Sequence, residues 1–127
     1  MQDGSEVVYH AGFPNAAETS EVMGLSLDTL IVQHQASTYF WRLTDDACKL
    51  LRVRSGTLAV VDRSLVPRHE DTVVIVVDES FYVRQFRQQA SVAVLVSAKG
   101  DVEQFDGEVR IWGVVTYLVQ PMRRQTI

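Results

Sequence analysis

Six short runs of strand-forming residues, each closed by charged or turn-prone positions, restrict this chain to a mostly β, mainly antiparallel domain. They are Tyr39 to Leu43, Leu58 to Val61, Thr72 to Val77, Phe81 to Phe86, Val92 to Val96 and a long run from Val109 to Val119. Thr72 to Val77 and Phe81 to Phe86 flank Asp78-Glu79-Ser80, a pattern that predicts a hairpin with a three-residue loop. In its second arm Phe81, Val83 and Gln85 alternate with Tyr82, Arg84 and Phe86, so one face is mixed rather than purely apolar. Gly113 marks a bulge or bend in the last strand. Helix signals are sparse. Ser26 to Leu30 reads as one turn with Ser26 as N-cap. Asp46 to Arg52 reads as a second short helix, stopped by Ser55-Gly56, with Asp45 and Asp46 as capping and dipole partners. Residues 1–24 hold few large apolar groups and contain Gly4, Gly12, Pro14 and Gly24. They are expected to form an extended N-terminal arm ahead of a β domain over residues 25–127.

At 127 residues with 46% hydrophobic content, the chain can bury a core as one domain without metals or disulfides. A net charge of −4 argues against direct, specific DNA binding, which needs a basic surface. The lone cysteine, Cys48, excludes an internal disulfide and fits a reducing compartment. No run approaches the ~20 apolar residues of a membrane span, and the polar, acidic start is unlike a secretory signal. A cytoplasmic protein without membrane contact is the expectation. His10, His34 and His69 are scattered without metal-ligand spacing, so no metal site and no cofactor is expected. Trp41 and Trp112 fall inside strands and are expected in the core or at a dimer interface.

Several segments, in order, resemble the UmuD/LexA family of self-cleaving serine peptidases, and the UmuD-like members in particular. They are Ala11-Gly12-Phe13-Pro14, Ser37-Thr38-Tyr39-Phe40, Leu58 to Asp62, Asp71 to Val74 with Phe81 to Arg84, and Trp112 to Val115. The resemblance runs without gaps from about Gly12 to Arg123. It implies the antiparallel β fold of the LexA/UmuD C-terminal domain with one or two short helices, and it places a cleavage-like site at Ala11-Gly12. It also implies a serine–lysine dyad, in which a neutral lysine takes the serine proton. Carried over residue by residue, the serine position is Ala47 and the lysine position is Arg84. Alanine has no nucleophilic atom. Burial can lower a lysine's pKa enough to free its lone pair, whereas an arginine starting at ~12.5–13.8 stays charged. Neighbouring positions depart too: Asp45 replaces a loop glycine, Cys48 a methionine and Thr57 an aspartate, and the hairpin loop lacks its glycine. Divergence this broad differs from a single engineered knockout.

The resemblance therefore implies a catalytically inactive UmuD-like protein of the SOS DNA-damage response. Its expected partners are a second copy, an active UmuD-like relative, a Y-family translesion polymerase and the RecA filament. Pairing is expected through the last strand, with Trp112, Val114, Thr116 and Leu118 at the interface. Two alternatives stand beside it. One is a slow or residual autoprotease cutting at Ala11-Gly12, with Cys48 as a displaced nucleophile. The other is a transcriptional co-regulator that pairs with a LexA-like repressor, since no helix-turn-helix precedes residue 12. Cutting of Ala11-Gly12 in trans by an active partner, and an ion pair from Arg84 to Asp45 or Asp46 in place of the dyad, are further expectations.

Overall fold

The computed structural model describes residues 5–10, 30–97 and 99–123. Among the described residues seven strands form a single antiparallel sheet: β1 (Ser5–His10), β2 (Thr38–Leu43), β3 (Leu58–Asp62), β4 (Thr72–Val77), β5 (Ser80–Gln89), β6 (Val92–Val96) and β7 (Val109–Val119). Their spatial order is β1-β2-β3-β7-β4-β5-β6. The α-helix α1 (Asp45–Leu51) joins β2 to β3, residues 30–31 are also helical, and a 3-10 turn at Gln35–Ser37 leads into β2.

The sheet is apolar on both sides near its middle, and residue alternation divides its core into clusters. Trp41 and Leu43 of β2, Ala59 and Val61 of β3 and Val74 of β4 pack with Ala47 and Cys48 of α1. On the other parity, Phe40 and Val60 pack with Ile31 and Val32, while Val73, Ile75 and Val77 pack with Val114. The run Thr72–Val77 is almost entirely valine and isoleucine because β4 lies between β7 and β5 and faces core on both sides.

The 78–80 loop is tighter than expected. Ser80 already pairs with Val77, so the turn is Asp78-Glu79 alone, with φ of 49° and 66°. Positive φ at both central residues defines the type I′ geometry that matches strand twist. The bulge at Gly113 lies beside the glycine rather than on it. Val74 pairs with Gly113 and Ile75 with Ile111, which leaves Trp112 as the extra residue. Gly113 is required for a different reason: a Cβ there would lie 2.6 Å from Val61 Cγ1. A second bulge leaves Thr116 unmatched between Tyr117 and Val115, and its hydroxyl donates to the Val60 carbonyl at 3.3 Å.

Helix α1 is capped by Thr44 rather than by either aspartate. The Thr44 hydroxyl accepts from the Ala47 N–H at 3.1 Å, while Asp45 and Asp46 occupy the first turn. The helix ends before Ser55-Gly56, because Arg52 turns left-handed (φ 60°, ψ 45°) and its N–H returns to the Cys48 and Lys49 carbonyls. Within the expected N-terminal arm, Ser5–His10 is β1, paired along β2 at the sheet edge. The Ala11-Gly12 site and most of the Ser26 to Leu30 turn lie outside the described residues.

Candidate functional site

Three groups of residues carry the chemistry of the site, and the sequence points to two of them. The first is the start of α1. Ala47 is fully buried, with its N–H on the Thr44 hydroxyl and its methyl in the core cluster of Trp41 and Val61. Next to it, Cys48 is 3% exposed. Burial pushes its thiol above the usual range and the nearby Asp45 adds to this, against smaller opposing effects of the Thr57 and Gly56 backbone. A thiol held protonated in an apolar cluster is a packing group and a poor nucleophile. Asp45 accepts from the Ser55 hydroxyl at 2.9 Å, which tethers the helix start to the loop ahead of β3. Thr57 is buried, and its hydroxyl donates to the Arg54 carbonyl at 2.6 Å.

The second group surrounds Arg84. Arg84 sits opposite Val73 in the β4–β5 ladder, and Val73 packs in a different cluster from the one containing Ala47. The guanidinium makes a two-pronged contact with Glu103, Nε to Oε1 at 2.7 Å and Nη2 to Oε2 at 3.1 Å. It lies 5.3 Å from the Tyr82 ring centroid and 5.7 Å from that of Phe105. The expected ion pair with Asp45 or Asp46 is therefore replaced by one with Glu103. The alternation of β5 explains this, since Arg84 shares its face with Tyr82 and Phe86 rather than with Val83.

The third group was not visible in the spacing of the sequence. Asp62, 4% exposed, ends β3 and gathers four donors. His34 Nδ1 approaches Oδ2 at 2.7 Å, while Oδ1 accepts from Ser37 Oγ at 2.9 Å, Ser64 N at 2.8 Å and Ser64 Oγ at 2.7 Å. Burial alone pushes this carboxyl upward, but the hydrogen bonds from Ser64, His34 and Ser37 outweigh it and hold its pKa at about 2. Both serines bond to the aspartate rather than bridging to the imidazole, so the arrangement differs from a nucleophilic triad. It fastens the 3-10 turn to the end of β3.

Of the residues expected at a dimer interface, Val114 is 3% exposed and sits in the core with Val73 and Ile75. Trp112 is half-buried, edge-on to Tyr39 (5.2 Å) and Trp41 (5.0 Å) and covered by the Arg63 guanidinium at 4.3 Å. Thr116 and Leu118 are exposed, together with Tyr117 and Val119. In this stretch β7 is laddered to β3, whereas β4 pairs only as far as Val115. Among the described residues no group of His, Cys, Asp and Glu is arranged to hold a metal ion. No helix among them is long and apolar enough to cross a membrane.

The antiparallel sheet, with a short helix beginning at Asp45 and a β4–β5 hairpin carrying Arg84, has the LexA/UmuD-like fold. The Peptidase S24-like family profile matches residues 7–116, and the chain belongs to that family. It is 32% identical to protein MucA of Salmonella typhimurium over 111 residues, covering 84% of this chain and 76% of that protein. It is 30% identical to protein SamA of Salmonella typhimurium strain LT2 over 113 residues, covering 89% and 81% respectively. Protein ImpA of Shigella flexneri is 28% identical over 115 residues, covering 89% of this chain and 79% of its own length.

Proposed function

We propose that this protein serves SOS mutagenesis by binding and not by cutting: it is an S24-family scaffold that pairs with a second copy or an active UmuD-like relative. Family membership and the likeness to MucA, SamA and ImpA support the SOS setting. The observation that carries the loss of cleavage is Ala47, which puts a fully buried methyl group where the family places its attacking hydroxyl. Two features support it. The neighbouring thiol is buried and held protonated, and the guanidinium at the lysine position is engaged by Glu103 and cannot accept a proton. In this reading the protomer associates through the exposed end of β7, Thr116 to Val119, rather than through Trp112 or Val114, and the dimer engages a Y-family polymerase or the RecA filament.

Prolonged incubation of the purified chain at alkaline pH, alone and with RecA filaments, followed by intact mass, tests the first half. One unchanged species is expected; a fragment beginning at Gly12 overturns the proposal and restores the autoprotease. Light scattering tests the second half. A dimer is expected at tens of micromolar, roughly −6 kcal/mol of association, and Leu118→Glu is expected to give monomer. A monomeric parent, or a variant still fully dimeric, removes the β7 surface from the account.

A further inference from the structure

Past the end of α1 the sheet carries a groove of about 400 Å3. Leu51 at the end of α1 and Arg52, its C-cap, form one wall, and Val83, Gln85, Arg87 and Val96 contribute from β5 and β6. Val83 lies opposite Val74, a member of the α1-side core cluster, and Gln85 and Arg87 follow at alternate positions on the same face. Three arginines line the groove and no carboxylate does, although the chain carries a net charge of −4. Since the Arg84 guanidinium is paired with Glu103, the available charge is that of Arg52 and Arg87.

These two arginines are anchored differently, Arg52 through its backbone and Arg87 through its side chain. The backbone of Arg52 is pinned at the helix C-cap by its bonds to the Cys48 and Lys49 carbonyls, with its side chain exposed. Arg87 donates from Nε to the Gln85 carboxamide oxygen at 2.8 Å, which leaves the terminal edge of its fork for a ligand. Guanidinium forks select carboxylates, which they bind with paired hydrogen bonds. Half-buried Leu51 adds an apolar wall that suits an aliphatic side chain between the acids, and the buried Val83 and Val96 close the floor. A nucleic acid strand suits the groove less well: the lining has no aromatic ring for base stacking, and the chain is acidic overall.

We propose that this groove binds an extended acidic segment of a partner protein, its carboxylates on Arg52 and Arg87 and its aliphatic side chains against Leu51. The proposal gives the binding role a docking chemistry, yet it holds whether or not the chain cleaves itself. Fluorescence anisotropy on the full chain tests it with three labelled probes: a short peptide alternating glutamate and leucine, the same peptide with glutamine for glutamate, and a single-stranded oligonucleotide. The glutamate peptide is expected to bind, to weaken with added salt, and to lose about tenfold in affinity with Arg52→Glu and again with Arg87→Gln. Arg52 is exposed, so the first variant reports even if the second fails to fold. Absence of binding, equal binding of the glutamine peptide, indifference to Arg52→Glu or tighter binding of the oligonucleotide would each overturn the proposal.

Discussion

Replacing Asp62 with asparagine should remove an acid-sensitive part of the protein's stability. In the folded chain Asp62 is nearly buried and its pKa falls from 3.8 to about 2 under the hydrogen bonds of Ser64, His34 and Ser37. A folded pKa below the unfolded one means that the unfolded chain binds the proton more readily. The contribution is therefore complete above pH 3.8 and disappears as pH falls through about 2. At roughly 1.4 kcal/mol per tenfold change in proton affinity, the carboxylate contributes about 2 kcal/mol at neutral pH. Urea unfolding of both proteins from neutral pH down to about 2 isolates this term, because the other carboxylates are common to both and cancel in the difference. The parent should lose about 2 kcal/mol more than Asp62→Asn over that window. Ser64→Ala removes one of the donors to Asp62 and should narrow the gap. A gap that stays constant with pH, or a carboxyl carbon resonance for Asp62 that titrates near 3.8, would show that the cluster does not hold the charge.

Two further substitutions test backbone geometry. Glu79→Gly places the residue best suited to φ of 66° in the type I′ turn and should raise stability by about 1 kcal/mol, seen as a higher Tm. Gly113→Ala drives a methyl group to 2.6 Å from Val61 Cγ1, so a loss of about 1–3 kcal/mol is expected in chemical denaturation. Adding Val61→Ala should recover part of that loss, and strict additivity of the two substitutions would rule out the clash.

The strand runs were legible wherever residue type and position in the sheet agree. Thr72–Val77 and Val92–Val96 have the bounds their apolar character predicts, and the alternation of β5 already placed Arg84 beside Tyr82 and Phe86. The expected ion pair between Arg84 and Asp45 or Asp46 gave way to one with Glu103, because that alternation sets Arg84 on the face away from Val83. Ser5–His10 was harder to read because the segment is rich in polar residues and is stabilised by its ladder to β2, a long-range pairing with no local signal. The Asp62 cluster was hidden for the same reason. His34 and Asp62 are 28 residues apart and meet only because Thr38 and Asp62 are ladder partners. The Asp78-Glu79 turn escaped because neither position carries the glycine that usually betrays type I′ geometry.

The place of β1 at the border of the sheet has a consequence for any scission of the backbone just beyond His10. Six residues would then be retained only by non-covalent pairing to β2, and their departure would bare a row of amide and carbonyl groups from Thr38 to Leu43. Losing its head would thus move the open margin inward to β2, where a stretched polypeptide could zip on in place of the lost strand.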